Sequence, residues 1–365
     1  MFNYPLLLST PTNYQFFGGE RLRTQLGKTV DTSEPLTETW EVSDVAGSRG
    51  VIQNGAYAGR TLSDLLDWDH QALLGERWLK PPHFPLLLKF IDGSGMFPVH
   101  VHADDEQAQA EGVWPHGKTE SWHILWAEPG ATLRIGVRDG VDRQTLYNKL
   151  AEQAYDEVMH RYPVRPGDTF YVPAGTLHSF GPGVLLAEIQ QTADILAQAM
   201  PWDMDSGERR TEAQWQAGIE DTVNQTRRGS HPGPQHGLIL ESRAGLERRL
   251  CCAGPYFALE QLLIQDEYRR RFDKAMIIAN LHEPLTLAWA DGEMTLERAQ
   301  TVVLPAILGD ITLRGDGRCL IYYVPELQRD IVKPLQSAGY TERDIESLGD
   351  VHARYGQGFS EHVVD

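Results

Sequence analysis

Two histidines separated by a single residue, His100 and His102, are the strongest candidates for chemistry in this sequence. In a β-strand alternate side chains point to the same face, so both imidazoles are expected on one side of a sheet. Imidazole nitrogen is a common ligand of divalent metals. The spacing therefore predicts half of a metal site.

Two further residues are placed to complete that site. Glu120 stands at the start of the next predicted strand, where a carboxylate can take a third position around the metal. His178 ends a segment that predicts a turn, a short strand and a bend at Pro173 and Gly175, which returns His178 to the interior. Three imidazoles and one carboxylate suit Zn, Mn, Fe, Ni or Cu, and the residues alone do not choose among these metals.

The charge and hydropathy of the chain restrict its partners. It has 33 Lys and Arg against 51 Asp and Glu, a net charge of −18, and no basic stretch long enough to follow a phosphate backbone. Nucleic acid is therefore not expected as a partner. No apolar run approaches the roughly 20 residues that cross a bilayer, and the first residues do not resemble a secretion signal. We expect a cytoplasmic protein without a membrane partner, and the sequence leaves its oligomeric state open.

The three cysteines are Cys251, Cys252 and Cys319. An odd number with an adjacent pair fits neither a disulfide framework nor a zinc site of the Cys-x-x-Cys type. They are interpreted as buried free thiols.

The elements that must position these residues are mostly strands. Short strand patterns follow one another from Phe84 to about Leu196 and again from Tyr256 to Val324, which indicates an all-β protein. Helices are predicted from a capping box at Thr61, over residues 142–161 and 212–223, and in the last forty residues. The predicted division is a metal-binding catalytic domain at 1–205, a linker with a helix at 206–235, a second barrel at 236–325 and a helical extension at 326–365.

These motifs resemble those of a known superfamily. His-x-His followed by Glu, and then Gly-x5-Pro-x-Gly-x2-His, are the paired signatures of the cupins, and the second is matched by Gly167, Pro173, Gly175 and His178. The second barrel contains no His-x-His, and the stretch that corresponds to its later motif is Pro305 to Gly309. We expect no metal there, and interpret this barrel as a structural support, with a separate sugar-binding role as the alternative.

More narrowly, the chain resembles the short bacterial form of the type I mannose-6-phosphate isomerase family, over a region from Pro5 to about Val324. The segments that carry the resemblance include residues 17–19, 39–43, 54–59, 85–89, 102–105, 117–122 and 188–194. The resemblance implies two cupin (jelly-roll) barrels with helical insertions and a short helical C-terminal extension. It also implies one divalent metal, with zinc favoured, and a sugar or sugar phosphate as the partner.

The resemblance also implies roles for individual residues. Metal ligands are expected at His102, Glu120 and His178, and at His100, where relatives commonly have Gln. Lys89 and Lys118 are expected to contact substrate, and Glu188 to be the catalytic carboxylate.

The residues themselves leave alternatives open for two of these roles. Lys118 would lie beside the metal because it is two residues from Glu120, but it could also be a surface lysine. Glu188 sits in an apolar strand that could raise its pKa for proton transfer, or it could orient a metal-bound histidine. Glu188 is the preferred proton carrier and Lys118 the alternative.

Two departures from the family pattern concern the phosphate. Pro98 stands where the family has a serine that helps to hold the sugar phosphate, and Gln198 stands where it has an arginine. A neutral amide is a poor substitute for the guanidinium in binding phosphate. Arg209 and Arg210 are close in sequence and could compensate, so Gln198, Arg209 and Arg210 are predicted substrate contacts together with Lys89.

The preferred function is a metal-dependent aldose–ketose isomerase that acts on a mannose- or fructose-type sugar, either as the 6-phosphate or in an unphosphorylated or differently acidic form. Two alternatives use the same four ligands. One is a cupin dioxygenase, since three histidines and a glutamate also hold redox metals. The other is a non-catalytic sugar-binding or regulatory cupin.

Overall fold

The computed structural model describes residues 2–30, 33–112, 116–229, 233–353 and 362–363. Strands make up 36% of the chain and helices 22%, which confirms the all-β prediction. The strands form four sheets, and each described strand pair is antiparallel.

Among the described residues, the N-terminal half contains twelve strands and five α-helices. The strands are β1 (Leu6–Leu7), β2 (Thr12–Asn13), β3 (Glu38–Val42), β4 (Leu86–Gly93), β5 (His100–Val101), β6 (Glu120–Ala127), β7 (Thr132–Val137), β8 (Met159–Pro163), β9 (Thr169–Val172), β10 (His178–Phe180), β11 (Val184–Gln191) and β12 (Ala197–Gln198). The helices are α1 (Leu62–Leu74), α2 (Asp105–Glu111), α3 (Arg143–Ala151), α4 (Tyr155–Val158) and α5 (Glu212–Gln225), with short helical turns at Leu22–Leu26 and Gly55–Tyr57.

Two of the sheets belong to this half. One has the order β2-β3-β4-β11-β6-β9 and the other the order β12-β5-β10-β7-β8. Both contribute to one buried apolar cluster, in which Trp122 and Phe170 of the first sheet meet Leu133 and Phe180 of the second. The two sheets therefore enclose a common interior.

In its described part, the C-terminal half contains ten strands and two α-helices. The strands are β13 (Leu238–Arg243), β14 (Leu246–Ala253), β15 (Ala258–Ile264), β16 (Glu267–Arg271), β17 (Met276–Asn280), β18 (Leu285–Trp289), β19 (Gly292–Leu296), β20 (Thr301–Leu304), β21 (Asp310–Arg314) and β22 (Gly317–Tyr323). A helical turn at Leu327–Val332 leads into α6 (Lys333–Ser337), and α7 (Glu342–Glu346) follows.

The second half repeats the arrangement of two sheets around a core. A seven-stranded sheet, β1-β20-β17-β22-β15-β14-β13, and a four-stranded sheet, β16-β21-β18-β19, share one apolar cluster. The first strand of the chain, β1, lies in this C-terminal sheet, where Leu6 is paired with Val303. A further buried cluster contains residues of both halves, among them Leu88 and Leu259, so the halves are held together by apolar contact.

The predicted helices differ from the structure mainly in length. The capping box between Thr61 and Asp64 is present, but α1 continues to Leu74. The predicted helix at 142–161 is instead α3 and α4, because Gln153 takes a left-handed φ of 56° between them and residues from Met159 onward pair with β7. The predicted helix at 212–223 is α5.

The remaining expectations concern the termini and the domain limits. Leu335, Ile345 and Leu348 of the C-terminal segment are buried, as are the three free cysteines. Of the predicted linker and extension, residues 230–232, 354–361 and 364–365 lie outside the described residues. The proposed limits at 205, 235 and 325 stay a prediction. In the described part of the chain we found no helix with the length and apolar character to cross a membrane.

Candidate metal centre and active site

The two sheets of the N-terminal half supply the four predicted ligands from opposite sides of their common interior. His100 on β5 lies directly opposite His178 on β10. Glu120 begins β6 of the other sheet, and His102 follows β5. The bend that contains Gly175 is fixed to this region, because the Gly175 amide donates a hydrogen bond of 2.8 Å to the His102 carbonyl.

The four side chains meet at one point. The Nε2 atoms of His100 and His178 are 2.8 Å apart. Glu120 lies close to two of the three rings, with Oε2 3.2 Å from His102 Nε2 and Oε1 3.3 Å from His178 Nε2. All four residues are at most 7% exposed.

The other nitrogen of each imidazole is held by a backbone carbonyl. Nδ1 of His100 lies 2.8 Å from the Pro98 oxygen, Nδ1 of His102 2.6 Å from the Ile195 oxygen, and Nδ1 of His178 2.7 Å from the Thr176 oxygen. Each Nδ1 is assigned as the donor, since a carbonyl can only accept. The three Nε2 lone pairs are therefore directed at one another, an arrangement typical of histidines that bind a metal.

Burial keeps the rings neutral, and so available as ligands. It lowers the pKa of His102 to about 3, with a further lowering by the Lys118 charge, and it also lowers the pKa of His100 and His178. Burial works against the charge of Glu120, but Lys118 holds the pKa of this carboxyl group well below its usual range. The donor set at neutral pH is three neutral imidazoles and one carboxylate.

Several atoms of this cluster have no hydrogen-bond partner among the described residues, namely His102 Nε2 and both carboxylate oxygens of Glu120. Buried polar atoms without partners cost free energy. A divalent cation between them would satisfy the carboxylate and the facing lone pairs together. The residues present therefore fit such an ion.

A row of alternating charges continues from the cluster across the first sheet. Lys118 Nζ is 3.1 Å from Glu120 Oε2 and 3.8 Å from Glu188 Oε1. Lys89 Nζ is 3.7 Å from the same Glu188 oxygen and 3.4 Å from Glu38 Oε2. All five side chains are buried, so these ion pairs are shielded from water.

Glu188 occupies the centre of this row. It lies opposite Lys89 on one side and opposite Trp122 on the other. Trp122 Nε1 donates a hydrogen bond of 2.9 Å to Glu188 Oε2, while Oε1 has no hydrogen-bond partner among the described residues. Burial and the nearby Glu120 charge raise the pKa of Glu188 to about 7. This carboxyl group can therefore both release and accept a proton near neutral pH.

Lys118, unlike Glu188, keeps its charge near neutral pH. Burial acts to lower its pKa, but the carboxylates of Glu120 and Glu188 outweigh burial, and the pKa is raised above the ordinary value for lysine. Lys118 is 6% exposed, so it is not a surface lysine. It remains a fixed positive charge beside the cluster.

The residues predicted to contact the phosphate are spread over a wider region. Gln198 on β12 lies opposite His100, is 6% exposed and has an Oε1 without a hydrogen-bond partner among the described residues. Arg210 shares with Gln198 a cavity of about 520 Å³, whose other charged residues are Glu111, Asp194 and Asp221. Arg209 is exposed and lines a neighbouring cavity. The structure brings Arg210, and not Arg209, to the cavity that Gln198 lines.

The sequence analysis missed three residues around Glu188. Trp122 holds the carboxyl group, and Glu38 and Trp40 surround Lys89, whose Nζ lies 4.5 Å from the centroid of the Trp40 ring. The period of two in a strand contains a signal for Trp122, because it is two residues from Glu120 and so shares its face. No such local signal identifies Glu38, since it reaches the site through pairing with β4.

Comparison with known proteins gives consistent results. The chain is 31% identical to mannose-6-phosphate isomerase of Streptococcus mutans over 256 residues, which cover 70% of this chain and 77% of that protein. The crystal structure of mannose 6-phosphate isomerase from Bacillus subtilis superimposes with a TM-score of 0.78 at 25% identity, and covers 88% of this chain and 99% of that one.

A structure of a mannose 6-phosphate isomerase bound with zinc and yttrium has the same fold, with a TM-score of 0.67 at 14% identity, over 88% of this chain and 99% of that one. No protein-family model matches the chain.

Proposed function

The chain belongs to the mannose-6-phosphate isomerase family, and from this membership we propose that it is an isomerase that interconverts mannose 6-phosphate and fructose 6-phosphate. The observation that carries the proposal is the combination of a three-histidine cluster beside Glu120 with a second buried carboxyl group, Glu188, whose pKa lies near neutrality. Neither the dioxygenase nor the non-catalytic alternative is favoured by the comparisons.

We assign one divalent metal to His100, His102 and His178, with Glu120 as the fourth ligand, and we favour zinc, which is one of the two metals in the compared structure bound with zinc and yttrium. When bound, the ion would supply a Lewis acid that polarises the oxygens at C1 and C2 of the open-chain sugar. The carbonyls of Pro98, Ile195 and Thr176 orient the three rings through Nδ1, so the ligands need little rearrangement.

Glu188 is assigned as the group that moves the proton between C1 and C2. Its Oε1 is directed away from the Trp122 hydrogen bond and lies within 4 Å of two lysines, in the space between the metal cluster and Lys89. As a carboxylate it can remove a proton from one carbon, and as the acid it can return that proton to the other. An enediolate connects the two steps.

Lys118 is assigned to stabilise negative charge. Its raised pKa keeps it protonated, so it is better suited to bind a developing oxyanion than to act as the base. Lys89 supplies a second positive charge, 3.7 Å from the same Glu188 oxygen that Lys118 approaches.

The phosphate is the part of the substrate for which the chain has the fewest charged contacts. Gln198 is neutral, and Arg210 is accompanied in its cavity by three acidic residues, which oppose a dianion. We therefore assign phosphate recognition to Arg210 together with the buried lysines, and expect weak selectivity for phosphorylated over unphosphorylated mannose.

The direct experiment is to incubate the metal-loaded protein with mannose 6-phosphate in heavy water. We expect fructose 6-phosphate to form and deuterium to enter at C1 or C2, because the protonated carboxyl group can exchange its proton with solvent between the removal of the proton from one carbon and its return to the other. Conversion without deuterium entry would favour hydride transfer over Glu188, and the absence of any conversion would contradict the proposed function. Unphosphorylated mannose is the comparison substrate.

A further inference from the structure

The interior of the second barrel contains charged residues that the isomerase reaction does not use. Arg248 on β14 is two residues from Leu250, and Glu260 on β15 is two residues from Leu262; both leucines belong to the apolar core between the two C-terminal sheets. Because side chains alternate along a strand, Arg248 and Glu260 also face that core. Arg270 on β16 does so as well, since it lies between Tyr268 and Phe272 of the same core.

These three residues form an unbalanced group. Arg270 donates two hydrogen bonds to Glu260, one of them 3.1 Å from Nη2 to Oε1. Arg248 lies near the same carboxylate, with Nε 3.5 Å from Oε2, and this buried Nε has no hydrogen-bond partner among the described residues. Tyr323 donates a third hydrogen bond of 2.6 Å to Glu260. Two guanidinium groups therefore share one carboxylate, so the three residues together carry a net positive charge.

A cavity of about 590 Å³ opens onto this group. Six basic and four acidic residues line it, although the whole chain carries a net charge of −18. At its rim Lys274 is paired with Asp330 and Arg329 with Asp273, so the excess of positive charge belongs to the other basic residues of the lining, among which Arg248 reaches the interior. A structural barrel would not need this arrangement, since apolar residues of similar size pack at lower cost than buried charges.

We propose that this cavity is a binding site for a small organic phosphate, separate from the metal cluster in the other half of the chain. A phosphate monoester carries close to two negative charges, which matches the excess of two basic residues around the cavity. Guanidinium N–H groups are the preferred donors to phosphate oxygens, and Arg248 has such a group free. The aromatic side chains of Tyr268 and Tyr323 can pack against the organic part.

The proposal is tested by calorimetric titration of the metal-loaded protein with inorganic phosphate. Arg248→Met is the informative variant, because it leaves the Glu260–Arg270 pair balanced and so is expected to fold. We expect it to weaken phosphate binding in the second barrel by about tenfold or more. Arg269→Met is the matched control: it removes the same charge from an exposed position at the rim, where Arg269 is paired with Glu267, and should change the affinity by less than about twofold.

Equal phosphate binding by the unmodified protein and Arg248→Met would overturn the proposal, as would the absence of phosphate binding in the unmodified protein. If Arg248→Met melts at a much lower temperature, Arg248→Gln replaces it, since the amide retains one donor towards Glu260. Citrate serves as a polycarboxylate probe, and tighter binding of citrate than of phosphate would overturn the ligand class. The measurement is phosphate binding and not isomerase activity. The test therefore stays valid even if the proposed isomerase function is wrong.

Discussion

Glu188 and Lys89 lie opposite each other on the antiparallel strands β11 and β4, with Glu188 Oε1 3.7 Å from Lys89 Nζ. The lysine is too far away for a hydrogen bond but close enough to stabilise the carboxylate form. Burial and Glu120 act in the opposite direction and outweigh it, which places the pKa near neutrality. The balance between these effects lets the carboxyl group release or accept a proton near neutral pH, as its proposed role requires.

Replacement of Glu188 by Gln removes the proton acceptor and keeps the shape of the side chain. We expect kcat to fall by about 100- to 10,000-fold, the usual contribution of a general base. The melting temperature should not fall, because the amide oxygen can still accept the Trp122 hydrogen bond. Residual activity within about tenfold of the unmodified enzyme would assign the proton transfer to another group.

The pH dependence of the reaction should follow the same carboxyl group. Glu188 acts as a base only when ionised, so activity should rise as the pH increases through its pKa of about 7. The positive charge of a bound metal would lower this pKa, so we expect the midpoint of the rise in kcat/KM at or below about pH 7. A profile of kcat/KM from about pH 5 to about pH 9 checks this, and a midpoint clearly above pH 7 would contradict it.

Removal of the metal should abolish activity and lower the melting temperature, because the ion binds the folded state and not the unfolded chain.

The variants His178→Gln and His100→Gln separate the contributions of the ligands. The first removes a ring that faces both His100 and Glu120 and should reduce metal affinity by at least about a hundredfold. The second introduces the residue common in the family and should retain more of the metal. The metal content of both variants after dialysis, measured by mass spectrometry, shows which of them retains more metal. Equal loss of metal from both variants would contradict the prediction.

A gain of function is expected when Gln198 is replaced by Arg. Gln198 lies opposite His100 and shares its face of the sheet, so a guanidinium group there would add positive charge near the substrate. We expect the ratio of kcat/KM for mannose 6-phosphate to that for mannose to rise by about tenfold. Arg210→Met should lower the same ratio, and an unchanged ratio in both variants would remove these two positions from phosphate recognition.

The sequence was sufficient to predict the local parts of the site. The period of two in a strand brought His100 and His102 together, and the bend at Pro173 and Gly175 returned His178 to them. What could not be predicted depends on pairing between distant strands. Lys89 reaches Glu188 only because β4 pairs with β11, and the contact of Glu38 with Lys89 requires β3 beside β4. No local sequence pattern predicts which strands are neighbours in a sheet.

The second barrel shows the same limit. Residues 238–253 form the two strands β13 and β14, although the sequence analysis began its second series of strands only at Tyr256. Charged residues such as Arg248 weaken the alternation of apolar and polar residues on which strand prediction depends. The charged residue that kept the sequence pattern from predicting strand β14 is thus the same one that places a cation inside the barrel.

The pairing of Leu6–Leu7 with Thr301–Leu304 has a consequence for how the protein is made. On the ribosome the first of these strands emerges early, while its partner is synthesised only after the metal-binding half is complete. Until then its backbone amides and carbonyls lack their native sheet neighbours and remain open to other pairings. Closure of the seven-stranded sheet by this short segment is therefore a late event in folding, and one that joins the first strand of the N-terminal half to a strand of the C-terminal half.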